Sequence, residues 1–269
     1  MKPDPLQHSH APEYVAEFLG TACMVFFGLS AVVFDFGAGL PMERWIPDPS
    51  QRLLLTGLCF AGTGSLVAIS PLGRLSGGHI NPSVSLAFWL YGKMRLVDFV
   101  GYVVAQMLGG ILGAAALAGV WKKYAASVHN GMTRPGVGWP LWQVFGFEVA
   151  MTGMLVLLIF IFVSNQRLMR WTPFMTWIVV AMMVWLEAPI SGTSLNPARS
   201  FGPALVSGEW QDQWIYAVAP PLGGILGLLV YRLVSKEGRE VLTCKLFHAP
   251  NYRTIFKHGT APSLPVGNP

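Results

Sequence analysis

Two related stretches decide how this sequence folds: GGHINPSVSL at residues 77–86 and GTSLNPARSF at residues 192–201. Each contains an Asn-Pro pair that follows an apolar residue. Asn is among the residues most favoured at a helix N-cap, and Pro is favoured at the first helical position. The pairs, Asn81-Pro82 and Asn196-Pro197, therefore each predict the start of a helix.

The two predicted helices are short, since they cover residues 81–91 and 196–207 and are followed by Gly92 and Gly208. A helix of ten residues is about 15 Å long, whereas the hydrocarbon core of a bilayer is about 30 Å thick. We therefore expect two half-helices that enter a membrane from opposite faces and meet at their N-termini.

The composition indicates a membrane protein, because 53% of the residues are hydrophobic and only 12% are charged, against about 25% charged in a soluble domain. Roughly 20 apolar residues span a bilayer as a helix. Six uncharged apolar runs are candidate spans: Phe18–Phe34, Leu53–Gly73, Phe99–Trp121, Val149–Gln166, Trp171–Leu186 and Trp214–Tyr231. The fifth run is short but gains length if Glu187, which follows it, is masked or lies at the rim. The runs lack the alternation typical of barrel strands, so an all-α membrane protein is predicted.

The chain repeats itself. GGILG occurs at residues 109–113 and again at 223–227, and EFLGT from Glu17 is matched by EVAMT from Glu148. Each copy holds three spans, with an Asn-Pro pair between its second and third. Because three is odd, the second copy must enter the membrane from the opposite side, which makes an inverted repeat. The predicted units are an N-terminal tail (1–12), a first repeat (13–121), a connecting loop (122–140), a second repeat (141–234) and a C-terminal tail (235–269).

The positions of the Lys and Arg residues predict the orientation. Six spans place both termini on one side, and that side carries twelve of the 18 Lys and Arg residues; five lie on the other side and Arg199 lies within the membrane region. Cytoplasmic loops are enriched in Lys and Arg. We therefore expect both termini in the cytoplasm, the connecting loop outside, and a location in the plasma membrane, or in the inner membrane of a bacterial cell. The polar C-terminal tail is expected to be largely disordered.

The centre of such a fold has a distinct chemistry. Each helix N-terminus carries about half a positive charge, so two that face each other disfavour cations and protons. The amides of Asn81 and Asn196 can donate to a passing oxygen. The non-helical segments before them are tolerated in a membrane only if their carbonyls line a wet cavity. Together these groups suit neutral hydroxylic solutes.

These motifs closely resemble those of the aquaporin, or major intrinsic protein, family over nearly all of residues 13–234. The resemblance rests on SGGHINPSVS, SGTSLNPARSFGPAL and the paired AEFLGT and FEVAMT. It implies six tilted helices and two half-helices around one pore per subunit, assembly as a homotetramer, and passive flux of water or small neutral solutes. Within the family, the chain is similar to bacterial-type water channels, with a filter that partly resembles plant nodulin-like members.

The resemblance also implies residue roles. The pore motif comprises Asn81, Pro82, Ser83, Asn196, Pro197 and Ala198. The selectivity filter comprises Phe60, Val184, Thr193 and Arg199. The pore-lining backbone comprises Gly77, Gly78, His79, Ser191, Gly192 and Ser194. Glu17 and Glu148 support the two re-entrant loops by accepting from their backbone amides.

Two positions depart from the family pattern. Val184 stands where water-selective members usually have histidine, so the filter is expected to be wider and more apolar than theirs. Ser83 stands where Ala is usual, which we interpret as a tolerated substitution; the alternative is a more polar or wider pore centre. Glycerol, urea, peroxide and metalloids therefore remain open as further permeants.

The leading hypothesis is a passive water channel that excludes protons and ions. The alternatives are a glycerol or metalloid facilitator with water secondary, and a secondary transporter, which also uses inverted repeats and broken helices. The sequence contains no nucleophile–base set and no metal-ligand spacing, so we expect neither enzyme activity nor a cofactor or metal. Expected partners are water, small neutral solutes, membrane lipid and further copies of the chain, but not nucleic acid.

Overall fold

A computed structural model describes residues 9–235, 240–249 and 251–256. In chain order its helices are α1 (Ala11–Phe36), α2 (Met42–Trp45), α3 (Pro49–Ile69), α4 (Pro71–Ser76), α5 (Pro82–Leu90), α6 (Leu96–Trp121), α7 (Lys123–Ala126), α8 (Leu141–Val163), α9 (Thr172–Ser191), α10 (Pro197–Ser207) and α11 (Gln213–Val234). Six of them, α1, α3, α6, α8, α9 and α11, are long and apolar enough to cross a membrane. The predicted all-α class is confirmed, and α5 and α10 are the two half-helices.

The spans do not have the same bounds as the apolar runs that predict them, and two of the differences involve a proline or a charged residue. The second run continues to Gly73, but α3 ends at Ile69 because Pro71 holds Ser70 in an extended conformation (ψ 169°) and starts the short helix α4. The fifth run stops at Leu186, yet α9 continues to Ser191. The Glu187 side chain does not lie at a water-facing rim, since the residue is only 3% exposed.

The spans cross closely at glycines that occupy equivalent places in the two repeats. A Cβ atom on Gly109 of α6 would collide with the carbonyl oxygen of Phe18 in α1. A Cβ atom on Gly223 of α11 would lie 2.5 Å from the carbonyl oxygen of Val149 in α8. The GGILG repeat therefore marks where the third span of each repeat contacts its first span.

Each half-helix packs against the last span of the other repeat. The start of α5 contacts α11, where a Cβ on Gly224 would lie 2.8 Å from the carbonyl oxygen of Ser83. The start of α10 contacts α6, where a Cβ on Gly110 would collide with the carbonyl oxygen of Ala198. These exchanged contacts interlock the repeats and fix the two half-helices at the centre of the bundle.

The C-terminal tail returns to the end of the bundle where Arg253 forms an ion pair with Glu13, and we call this end the terminal face. Within the tail, Val241, Cys244, Leu246 and Phe256 are each at least 93% buried. Residues 240–249 and 251–256 are held by contacts across the fold that the polar composition of the tail does not reveal. Most of the predicted N-terminal tail, residues 1–8, lies outside the described residues, and α1 begins at Ala11.

Candidate functional site: a central pore between two half-helices

The two Asn-Pro pairs lie opposite each other and are tied together by their side chains. Asn81 Oδ1 accepts from the backbone N–H of Ser83 (2.9 Å), and Asn196 Oδ1 accepts from that of Ala198 (3.0 Å), so each Asn caps its half-helix. Asn81 Nδ2 donates to the carbonyl of Leu195 (2.9 Å) in the opposite loop. Asn196 Nδ2 donates to that of Ile80 (2.8 Å).

Each of these amide groups carries two N–H donors. One N–H of each is used between the loops, and both Asn81 and Asn196 border a cavity at the centre of the bundle, which we call the central cavity. The remaining N–H of each Asn is therefore available to a solute in the cavity. Two donors at the meeting point of two helix N-termini favour an electron-rich oxygen and disfavour a cation.

The loops before the half-helices have strained backbones. Ile80 and Thr193, both β-branched, adopt left-handed φ angles of 43° and 49°, and Leu195 has a φ of 55°. Such conformations cost about 1–3 kcal/mol each and persist only where the surroundings impose them. Here they turn the loops so that Ile80, Thr193 and Leu195 all border the cavity.

Glu17 and Glu148 impose these loop conformations. Glu17, fully buried in α1, accepts from the backbone N–H groups of His79 (3.0 Å) and Ile80 (2.7 Å). Glu148, in the matching place of α8, accepts from those of Ser194 (2.7 Å) and Leu195 (2.9 Å). Each carboxylate also accepts from a Ser hydroxyl, that of Ser76 and that of Ser191 respectively. The two sites are therefore equivalent by the internal repeat.

The cavity has a volume of about 270 Å³ and passes the half-helix N-termini. The four residues predicted for the filter all line it: Phe60, Val184, Thr193 and Arg199. Glycines set the places of two of them. A Cβ on Gly28 would lie 2.7 Å from the Phe60 ring, and one on Gly57 would lie 3.1 Å from Val184 Cβ. The structure thus brings together side chains from α3, α9, α10 and the loop before α10.

Arg199 is a buried cation in this wall, with 7% exposure. Its guanidinium carbon lies 5.4 Å from the centroid of the Phe60 ring, and Nη1 donates to the carbonyl of Gly131 at 3.1 Å. Among the described residues, Nε has no hydrogen-bond partner. The guanidinium is therefore fixed on two sides, and it keeps donor capacity for a solute.

Only some of the residues predicted for the pore motif and the pore lining border the cavity. His79, Gly192 and Ser194 border it. The other predicted members, all described, are absent from its wall: Gly77, Gly78, Ser191, Pro82, Ser83, Pro197 and Ala198. The carbonyl of Gly77 instead accepts from Leu246 of the C-terminal tail, and the Ser191 hydroxyl donates to Glu148.

Among the cavity residues that the sequence did not predict, four lie outside the spans, the half-helices and the loops before the half-helices. Val128, Gly131 and Met132 belong to the loop between the repeats, and Leu246 belongs to the C-terminal tail. The loop is held by Gln213 Nε2, which donates to the carbonyl of Thr133 at 2.8 Å. No local sequence signal marks these residues, because their place depends on contacts made after both repeats have assembled.

Ser83 lies away from the cavity, fully buried, and its Oγ has no partner among the described residues. An unsatisfied buried hydroxyl costs about 1–3 kcal/mol. We therefore expect Ser83→Ala to raise the free energy of unfolding by about 1 kcal/mol and to leave solute fluxes unchanged. Thermal unfolding in detergent and stopped-flow permeability measure the two effects. Ala198→Ser is the matched control and should destabilise; altered solute ratios in Ser83→Ala would instead support the polar-centre alternative.

Six membrane-spanning helices around this cavity, with two capped half-helices at its centre, define a multi-pass membrane channel. The sequence profile of the major intrinsic protein family matches residues 6–231. The chain is 36% identical over 230 residues to "Probable aquaporin TIP2-2" of Oryza sativa subsp. japonica, covering 84% of this chain and 88% of the relative. It is 30% identical over 233 residues to "Aquaporin Z" of Photorhabdus laumondii, covering 82% of this chain and 96% of the relative.

The fold is also that of a solved relative. An X-ray structure of the aquaglyceroporin from Plasmodium falciparum superposes with a TM-score of 0.70 at 23% identity, covering 84% of this chain and 97% of that one. The chain belongs to the major intrinsic protein family, the family of the aquaporins, as its motifs predict.

Proposed function

We propose that this chain is a passive channel through which water crosses the membrane between the two half-helices, without coupling to an ion. The observation that supports this most is that one cavity is bordered by both Asn81 and Asn196, each with one N–H not engaged by the opposite loop. A water molecule that reaches the centre can accept from both. Its hydrogens are then directed away from the centre, which interrupts a chain of hydrogen bonds along which protons could move.

Exclusion of cations is proposed to arise at two levels of the cavity. The N-termini of α5 and α10 provide partial positive charge at the centre. Arg199, a residue that is only 7% exposed, provides a full positive charge in the filter. Within a low-dielectric wall, a fixed charge acts on a passing ion much more strongly than it would in bulk water.

A secondary transporter fits the structure less well. Ion coupling usually requires intramembrane carboxylates that face the transport path. The symmetric pair, Glu17 and Glu148, instead accepts hydrogen bonds from backbone amides and Ser hydroxyls of the re-entrant loops. Neither belongs to the wall of the described cavity. This supports a structural role for both carboxylates.

The filter supports passage of small neutral solutes beside water. Phe60 and Val184 contribute apolar surface, and Arg199 contributes donors. Valine is smaller than histidine and lacks a donor, so the passage is wider than in a filter with histidine. We propose water as the main permeant and glycerol as a secondary one; a facilitator for glycerol or metalloids is the alternative that the same wall would serve.

Val184→His tests this account of the filter. The added ring narrows the passage and adds a polar group, so glycerol flux should fall at least about tenfold while water flux falls less, as expected for discrimination by size in one contact. Re-swelling of proteoliposomes in glycerol and their shrinkage in sucrose measure the two fluxes. Val184→Leu adds volume without a donor and separates width from polarity. Equal losses of both fluxes in Val184→His would refute this account.

The orientation and assembly belong to the same proposal. We place the terminal face in the cytoplasm, because twelve of the 18 Lys and Arg residues then lie on that side. Apolar side chains cover the outer faces of the spans, among them Phe27, Val104, Leu112, Ile178 and Leu229. They suit contact with lipid and with further copies in a homotetramer in the plasma membrane or a bacterial inner membrane.

The concentration dependence of flux tests the channel against the transporter. In proteoliposomes, flux of glycerol through a channel should rise linearly with its gradient and be indifferent to imposed proton or sodium gradients. Saturation at low concentration, or uphill movement driven by either ion, would contradict the passive channel and favour the transporter.

A further inference from the structure

The tail segment, residues 240–249 and 251–256, packs at the terminal face and reaches the cavity through Leu246. Leu246 is part of the cavity wall, and its backbone N–H donates to the carbonyl of Gly77 at 2.9 Å. The carbonyl oxygen of Cys244 lies 2.8 Å from His79 Nε2. Gly77 and His79 belong to the re-entrant segment before α5, so the tail segment occupies polar groups that otherwise would serve a solute.

His79 is enclosed by these contacts. The residue is 1% exposed, and Nδ1 lies 3.1 Å from the hydroxyl of Ser85. The ring stacks between Phe88 and Phe256, with centroid distances of 4.8 Å and 5.4 Å. Since Phe256 comes from the tail segment, both the Nε2 edge and one face of His79 are covered by the C-terminal part of the chain.

Lys245 anchors the tail segment at its middle. Its Nζ donates to the carbonyls of Arg74 and Arg253, both at 2.6 Å. Burial lowers the pKa of Lys245 to about 8, against the influence of Glu13, which raises it. The lysine is therefore withdrawn from water and held by carbonyl oxygens on both sides, one in α4 and one in the tail segment.

An ion pair closes the arrangement at the rim. Arg253 donates through both Nε and Nη2 to the carboxylate of Glu13, each at 2.7 Å. Glu13 is fully buried, whereas the Arg253 side chain is 43% exposed. Removing the arginine would leave a buried carboxylate without its counter-ion, which is strongly unfavourable. Departure of the tail segment would let water reach Glu13 and relieve that cost.

We propose that the tail segment is an autoinhibitory plug that closes the terminal-face mouth of the pore, with Leu246 as its stopper and the Arg253–Glu13 ion pair as its latch. The proposal rests on the channel function above. Release of the latch frees the carbonyl of Gly77, uncovers His79 and removes Leu246 from the wall. The tail segment thus sets the fraction of channels that conduct, while the filter sets what passes.

Arg253→Glu in the full-length chain tests the plug. It sets two carboxylates against each other, so docking should weaken by roughly a hundredfold. Arg253→Lys, which keeps the charge, is the matched control. Docking is read from maleimide labelling of Cys244, which is 4% exposed, in a background of Cys23→Ala and Cys59→Ala. Water flux per channel is read from stopped-flow shrinkage of proteoliposomes in sucrose.

The expected result is fast labelling of Cys244 together with at least about a tenfold rise in water flux in Arg253→Glu, and neither change in Arg253→Lys. Labelling without increased flux would overturn the plug, and continued protection of Cys244 would overturn the latch. Increased flux without labelling in Arg253→Glu would also contradict the proposal, since that substitution can open the pore only by releasing the tail segment. Leu246→Ala keeps the latch, so it should raise water flux while Cys244 stays largely protected from maleimide. Unchanged water flux in Leu246→Ala would show that Leu246 is not the stopper.

Failure of the channel itself gives a different result. In that case neither the unaltered chain nor Arg253→Glu would exceed protein-free liposomes, even with Cys244 labelled. A functional channel with no plug would instead show equal, fast shrinkage in both chains.

Discussion

Arg199→Val is expected to make the channel leak cations while water still passes. At 5 Å and an effective dielectric constant of about 20, one unit charge disfavours a passing cation by about 3 kcal/mol, a factor of roughly a hundred. Valine removes that charge from a filter whose other members are Phe60, Val184 and Thr193. Potassium or proton flux should therefore rise by up to roughly a hundredfold, as measured with ion-sensitive dyes trapped in proteoliposomes.

The control for this variant is Arg199→Lys, which keeps a cation but loses the planar guanidinium over Phe60. It should keep ion exclusion better than Arg199→Val does. Both variants should also be combined with Arg253→Glu, so that closure of the pore by the tail segment does not hide a change in ion flux through the filter. An Arg199→Val channel as impermeant to cations as the unaltered chain would show that exclusion depends on the half-helix N-termini alone.

Glu17→Ala is expected to prevent folding rather than to change selectivity. The substitution leaves the buried N–H groups of His79 and Ile80 without their acceptor. It also removes one partner each from Ser76 Oγ and from Gln106 Nε2, which is 2.7 Å from Glu17 Oε2. Each unsatisfied buried donor costs about 1–3 kcal/mol, so the sum approaches the whole stability of a typical domain. The yield of monodisperse protein in size-exclusion chromatography and the midpoint of thermal unfolding measure the loss.

The internal repeat supplies the matched test. Glu148→Ala removes the acceptor from the second loop and should reduce yield in the same way, because its contacts with Ser194 and Leu195 mirror those of Glu17. Glu17→Gln keeps an acceptor and should lose less. Normal yield with altered selectivity in Glu17→Ala would contradict the structural role and reopen the transporter.

The fold is predictable from the sequence because the features that determine it are local in the chain. The Asn-Pro pairs are caps whose effect lies within one turn, as Asn81 Oδ1 and Ser83 N show. The spans follow from hydropathy, and the crossing glycines follow from the GGILG repeat. Where a charge interrupts the pattern the prediction fails: the run before Glu187 ends too early, because tertiary burial of that carboxylate is not written in the local sequence.

The site was predictable only where a motif surrounds it. Phe60, Val184, Thr193 and Arg199 lie together on the cavity, at places that the resemblance suggested. Gly131 and Leu246 are different, since each reaches the cavity from a segment whose composition indicates a loop or a tail. Their contacts, Gly131 with Arg199 and Leu246 with Gly77, join residues at least 68 positions apart in the chain.

The central claim is that water crosses through the cavity between Asn81 and Asn196, and a variant that fills this cavity tests it most directly. Gly64 lines the cavity, and a Cβ there would approach other atoms no closer than 3.6 Å, so Gly64→Phe should place its ring in the path without disturbing the fold. The measurement is stopped-flow shrinkage in sucrose of proteoliposomes that carry Arg253→Glu, with and without Gly64→Phe. We predict fast shrinkage with Arg253→Glu alone and shrinkage at the protein-free rate with both changes. Equal rates in the two samples, at equal amounts of folded protein, would contradict the account.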